Sequence, residues 1–194
     1  RSPGPPQTIS DLNPDFWNER FERTTRMYGE APNAFLAEQL AKLTPGRILF
    51  PAEGQGRNAL YAARQGWTVE AFDYSEVGRA QALAKAEAQG VALTYRLESH
   101  EAFTAPEATY DAVALIFAHM APALRPAVHA KLAGCLKPGG ALLLQGFHKR
   151  QLPLDSGGPK NEAMLFSLDE LRSDFEAWLQ VDHLQAKRVQ LDEG

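Results

Sequence analysis

The spacing of apolar residues divides this chain into alternating helices and strands. Asn13 followed by Pro14 reads as an N-cap with proline at the first helical position, opening a short helix through Phe16, Trp17, Arg20 and Phe21. After Asn33, Leu36, Leu40 and Leu43 fall at helical spacing, and Pro45-Gly46 stops that helix before an apolar strand over 48–52. Residues 58–65 predict a helix ended by Gly66, and 68–72 a second strand. Ser75 caps an alanine-rich helix over 76–89 that ends at Gly90, and 93–97 predicts a third strand. The apolar run over 110–117 has the character of a strand buried on both faces. A helix over 125–136, a turn at Lys137-Pro138-Gly139-Gly140 and a fifth strand over 141–145 follow. This alternation predicts an α/β fold with an open, doubly wound, mostly parallel sheet. Beyond it, Ser167 and Glu170 form a capping box for a helix over 168–178, and 180–191 resembles a sixth strand. The stretch over 147–166, with Pro153, Gly157, Gly158 and Pro159, is long for a connection and predicts a lid or binding loop.

The 194 residues, 44% of them hydrophobic, suit one domain with a sizeable core. We assign it to 13–194, with 1–12, rich in proline and glycine, as a poorly ordered or tag-derived tail. A net charge of −4 and scattered lysines and arginines offer no basic face, so nucleic acid is not the expected partner. Cys135 is the only cysteine, which excludes an intramolecular disulfide and suits a reducing cytoplasm. The histidines His100, His119, His129, His148 and His183 lack HxxxH or HExxH spacing, and no metal is expected. No apolar run approaches the ~18 residues that cross a bilayer, and the opening residues lack a signal-peptide core, so a membrane is not expected either.

The chemistry concentrates in FPAEGQGRNA, residues 50–59, where a buried strand runs into a glycine turn and then a helix. Gly54 and Gly56 let backbone approach a ligand that a Cβ would block, and the next helix turns its N-terminal amides toward it. Gly54, Gly56 and Ala59 also satisfy the dinucleotide pattern GxGxxG/A, and Asp73 stands nineteen residues after Gly54 at the end of the second strand. Glu53 separates the two cofactors this allows. A carboxylate at the mouth of the turn would repel a pyrophosphate, whereas it suits an ammonium and a sulfonium, the charges of S-adenosylmethionine. A nicotinamide-dependent oxidoreductase would further need a catalytic Tyr/Lys or acid–base pair that the sequence does not display.

Glu53, the GxG turn, Asp73 and the PGG turn before the fifth strand together resemble the motif series of class I S-adenosylmethionine-dependent methyltransferases. More narrowly, the chain is similar to the tellurite-resistance (TehB-like) and thiopurine-methyltransferase-like group. The features that carry this are the Trp17 to Phe21 helix followed by Tyr28-Gly29 and Pro32-Asn33, the EGxGRNA string, the IFAHM segment after strand four and the GGPKN loop. The resemblance implies a Rossmann-like sheet of seven strands closed by an antiparallel hairpin. Six strands are visible here, and Asp192-Glu193-Gly194 resembles the start of the final turn, so the last antiparallel strand is expected to be missing from this chain.

In such a sheet the ligand lies beyond the carboxyl ends of the strands. Gly54 and Gly56 would then meet the methionine portion, Glu53 its ammonium, Asp73 the ribose hydroxyls and Tyr74 the adenine. The resemblance adds Glu98 and Ser99 against the adenine amino group and Phe117 on the cofactor's other face. It also adds Trp17, Arg20 and Tyr28 as an N-terminal cover, with Arg20 suited to the carboxylate. The implied activity is methyl transfer to a small-molecule acceptor, favoured to be a thiol, selenium or tellurium centre, with S-adenosyl-L-homocysteine as product. Transfer to oxygen or nitrogen, and a non-catalytic cofactor-binding module, are the alternatives. An alcohol would need a positioned base, for which His119, and then His148, are the candidates.

Overall fold

The computed structural model describes Pro6 and residues 8–149, 161–180 and 185–186. Five strands form one all-parallel sheet: β1 (Arg47–Pro51), β2 (Thr68–Asp73), β3 (Thr94–Leu97), β4 (Tyr110–Ile116) and β5 (Leu136–Gln145), in the order β3-β2-β1-β4-β5. The helices are α1 (Pro14–Arg23), α2 (Ala34–Leu40), α3 (Arg57–Arg64), α4 (Glu76–Gln89), α5 (Arg125–Gly134) and α6 (Leu168–Phe175).

Strand periodicity splits the apolar residues between two faces. Ile48, Phe50, Ala112 and Ala114 pack with Leu36, Leu40, Ala59, Ala62 and Ala82 of α2, α3 and α4. Leu49, Val113 and Leu115 point the other way, with Val128, Leu132, Leu171 and Phe175 of α5 and α6. Helices thus cover both faces, as the alternation predicts, and the unbroken apolar runs of β1 and β4 follow from burial on both sides.

Several helix starts are set by single side chains. Asn13 accepts from the Phe16 amide, Asn33 from Leu36, Ser75 from Gly78 and Ser167 from Glu170. Gly90 ends α4 in the left-handed conformation. Two boundaries differ from the sequence reading. The Lys137–Gly140 turn lies inside β5, which already begins at Leu136; Tyr110 pairs with Leu136 and Ala112 with Ala141, so these residues form an irregularity in a continuing strand. α6 also stops at Phe175. The sixth strand expected over 180–191 falls outside the described residues except for Gln180, Gln185 and Ala186, which carry no regular structure. The middle of the expected lid, 150–160, lies outside them too.

Candidate active site

Strand order reverses between β1 and β4, and a cleft opens beyond the carboxyl ends of the strands there. Trp17, Tyr28, Glu53, Gly54, Gly56, Asp73, Tyr74, Glu98, Ser99, Phe117 and His119 all line it. Arg20 does not. Its guanidinium lies 3.2 Å over the Phe16 ring and donates to the Phe16 carbonyl. Arg57, which the sequence did not single out, lines the cleft; it donates to the carbonyls of Tyr28 and Ala31 at 3.1 and 3.3 Å.

The glycine turn is held by carboxylates. Gly56 is the N-cap of α3 in the left-handed conformation at φ +84° and has no side chain to offer, so the Glu53 carboxyl caps the helix, accepting from the Ala59 amide at 2.8 Å. Burial pushes Glu53 up to about 8, against the opposing pull of the Ala59 and Asn58 amides and the Arg57 charge. Asp73 accepts from the Gly54 amide at 2.9 Å and from the Ser75 amide at 2.9 Å, tying the turn after β1 to the end of β2. Burial raises it to about 6. The Tyr95 hydroxyl donates to the Gly54 carbonyl at 2.7 Å and fixes the same turn from β3. A Cβ on Gly56 would stand 2.7 Å from that of Ala82, so helix α4 packs where only glycine fits.

The N-terminal segment is stitched onto this turn. Gln55, 7% exposed, donates to the Thr24 carbonyl and to Gln81, and accepts from the Met27 amide at 2.9 Å. Gln81 donates to the Phe21 carbonyl, and Asn18 accepts from the Ser75 hydroxyl at the start of α4. Phe21 packs against Gly54 and Gly78, and Trp17 stacks on Phe21. Asn33 completes the frame: it accepts from Leu36, donates to Gln145 at the end of β5 at 2.7 Å, and its amide donates to Asn58. EGxGRNA and Pro32-Asn33 are therefore in contact, with Asn58 the residue of the string that meets Asn33.

At the end of β3, Glu98 and Ser99 line the cleft, and Glu98 keeps a buried oxygen, Oε2, without a hydrogen-bond partner. Ser99 itself accepts from the Ala102 amide at 3.1 Å and turns the chain there. Phe117 leaves β4 at φ +52°. His119 is placed beside it, but both ring nitrogens are committed: the Phe147 amide donates to Nε2 at 3.0 Å, and Nδ1 bonds the Met164 carbonyl at 2.7 Å. Nε2 is an acceptor, so Nδ1 carries the proton and the ring is neutral. Burial depresses it to about 4. Both ring nitrogens of the expected base are thus engaged within the protein. His148 also lines the cleft. Among the described residues no group of three His, Cys, Asp or Glu could hold a metal ion, and no helix is long and apolar enough to cross a membrane.

Residues 48–140 match the family described as methyltransferase domain. The match covers just under half of the chain and supports a methyltransferase enzyme, and similar folds are described as S-adenosylmethionine-dependent methyltransferases. No curated protein matches the sequence. Among solved structures, TehB from Haemophilus influenzae is 19% identical at a TM-score of 0.65, covering 84% of this chain and 54% of TehB. The [4+2]-cyclase SpnF is 18% identical at 0.67, covering 90% and 74%. The structure described for conversion of a disulfide bond into a thioacetal group during echinomycin biosynthesis is 24% identical at 0.62, covering 75% and 67%. The chain thus spans from about half to three quarters of these proteins, and the likeness is one of fold.

The cleft fits S-adenosylmethionine on its own residues. A carboxyl at the mouth suits an ammonium, the glycine turn admits backbone approach, and Asp73 retains acceptor capacity beside its two amide bonds.

Proposed function

We propose that this domain transfers the methyl group of S-adenosylmethionine to a small-molecule acceptor with a soft nucleophilic centre, a thiol, selenium or tellurium atom. The observation that carries the acceptor choice is the engagement of both His119 nitrogens. An alcohol needs a base placed against its proton, whereas a thiolate or reduced chalcogen arrives already nucleophilic. The cofactor supplies an activated methyl group when bound, and the protein's part is to align the acceptor and exclude water. Alignment is worth ~7–11 kcal/mol in well-oriented cases.

In this reading Glu53 holds the ammonium, Gly54 and Gly56 admit the methionine portion, and Asp73 takes the ribose hydroxyls. Tyr74, Glu98 and Ser99 surround the adenine, while Trp17 and Tyr28 form the N-terminal cover that Gln55, Gln81 and Arg57 hold in place. Arg57 takes over the part expected of Arg20. The TehB-like and thiopurine-methyltransferase-like grouping rests on the motif series, and the buried single cysteine suits a reducing cytoplasm.

Incubation with S-adenosylmethionine and a panel of thiophenol, 2-mercaptoethanol, selenite, tellurite and catechol, read by product mass, tests this. Methylated sulfur, selenium or tellurium is the expected product. Transfer to hydroxyl alone would overturn the soft-acceptor assignment, and a protein that binds S-adenosylmethionine without methylating any acceptor would overturn catalysis.

A further inference from the structure

Four consecutive residues after β3, Glu98, Ser99, His100 and Glu101, line the cleft, and what gives them their shape lies behind them. The Glu98 amide donates to the Asp73 carbonyl at 3.0 Å, which ties the start of the segment to the end of β2. The Ser99 hydroxyl accepts from the Ala102 amide at 3.1 Å and the Ser99 carbonyl from the Phe103 amide at 3.0 Å, so 99–103 closes as a single hydrogen-bonded turn. A turn of this kind spends its amides at one end and leaves carbonyls open at the other.

Lys131 fills that open end. From α5 its Nζ donates to the carbonyls of His100 at 2.8 Å, Glu101 at 3.3 Å and Phe103 at 2.7 Å. An ammonium carries three protons, so each is matched to one carbonyl, and a cation is favoured where carbonyl dipoles converge. The turn is clamped from the sheet as well: Phe103 is fully buried and stacks on Phe72, the residue before Asp73, with centroids 4.5 Å apart and rings 13° from parallel. Among the described residues Lys131 is not part of the cleft lining, so its influence on a ligand passes through the turn.

We propose that Lys131 is a positioning residue for the nucleoside end of the cofactor: by gathering three carbonyls it fixes how the turn presents Glu98 and Ser99, and so sets the selectivity of the cleft for adenine over a purine without the exocyclic amino group. The inference rests on the reading above that Glu98 and Ser99 surround the adenine. Without the ammonium three carbonyls lose their donor at once, and the turn relaxes toward geometries in which water satisfies them.

The test is titration calorimetry with S-adenosyl-L-homocysteine and S-inosyl-L-homocysteine, which carry adenine and hypoxanthine, with urea unfolding of each variant alongside. The wild type is expected to favour the adenosyl compound by about tenfold or more, the scale of one hydrogen bond to a charged group. Lys131→Met keeps the apolar stem and loses the ammonium; it should weaken the adenosyl compound about tenfold and the inosyl compound less than about twofold, so that the preference disappears. Lys131→Arg, which keeps a charged donor, should restore a preference of about threefold or more, with Lys131→Gln between the two, so the order does not depend on any one variant folding. A residue that only supports the fold would weaken both compounds by the same factor, or lower the urea midpoint with the preference intact, and either result would overturn the proposal. So would a wild type that binds the two compounds equally. Failure of the wild type to bind either compound is a separate result, and it would remove the cofactor reading together with this one.

Discussion

The two walls of the cleft hold their shape by different means. At β1 to β3 a glycine turn is pinned by buried carboxyls that accept backbone amides, Glu53 from Ala59 and Asp73 from Gly54 and Ser75. At β4 and β5 a neutral histidine pins two ends of a loop while aromatic rings fill the space. The first wall is shaped by backbone and charge and suits a ligand with fixed cationic and hydroxyl groups. The second is shaped by side chains from distant positions and presents surface. The two walls are thereby separable by mutation.

The largest expected effect is at Gly56. A Gly56→Val change must adopt φ +84° and push its Cβ into Ala82, and should lower stability by about 3 kcal/mol or more in urea unfolding and abolish cofactor binding. Its counterpart Gly146→Ala displaces the Phe166 ring, so cofactor affinity should survive while the wall at β4 and β5 is disturbed. Equal loss of cofactor binding in both would break the division. Next comes Asp73→Ala, which strands the Gly54 and Ser75 amides and should cost about 2–3 kcal/mol in the same measurement, with Asp73→Asn recovering part.

The walls should also respond oppositely to pH. His119 falls from 6.5 unfolded to about 4 folded, so its contribution to stability is complete above pH 6.5 and is lost as the pH falls toward 4. Glu53 rises from 4.5 to about 8, so in the cofactor-free protein its contribution is complete below pH 4.5 and is lost as the pH rises toward 8. Asp73 acts in the same sense as Glu53 between 3.8 and about 6. Urea midpoints across pH should show Glu53→Gln removing the alkaline decline and His119→Phe reducing the acid one, to which His100 and His129, also lowered by burial, contribute as well. The smallest effect sharpens the N-terminal cover: Arg57→Ala should weaken S-adenosyl-L-homocysteine about tenfold by calorimetry, and Arg20→Ala less than about threefold.

Much of this architecture was legible because its determinants are local. Asn13, Asn33, Ser75 and Ser167 cap the helices that their positions predict, and the apolar runs of β1 and β4 mark strands covered on both sides. Glycine pattern, preceding acid and Asp73 likewise lie close in sequence and converge on one turn. What was not legible depends on partners far along the chain. His119 reads as a base in isolation, and only its bonds to Phe147 and Met164, 28 and 45 residues away, show its nitrogens to be engaged. Arg20 and Arg57 are chemically alike, and only their placement on α1 and α3 sets Arg57 in the cleft lining and Arg20 over the Phe16 ring. The Lys137–Gly140 stretch reads as a turn because proline and glycine usually punctuate, yet β5 carries it through beside Asp111.

The central claim, that the carboxyl-held glycine turn receives a cationic methyl donor, is tested most directly by calorimetric titration with S-adenosylmethionine near pH 7 in buffers of differing ionisation heat. Stoichiometric binding accompanied by proton release is predicted, because Glu53, held at about 8 in the free protein, must ionise to pair with the ammonium. No heat with S-adenosylmethionine, with nicotinamide dinucleotide binding in its place, would contradict it.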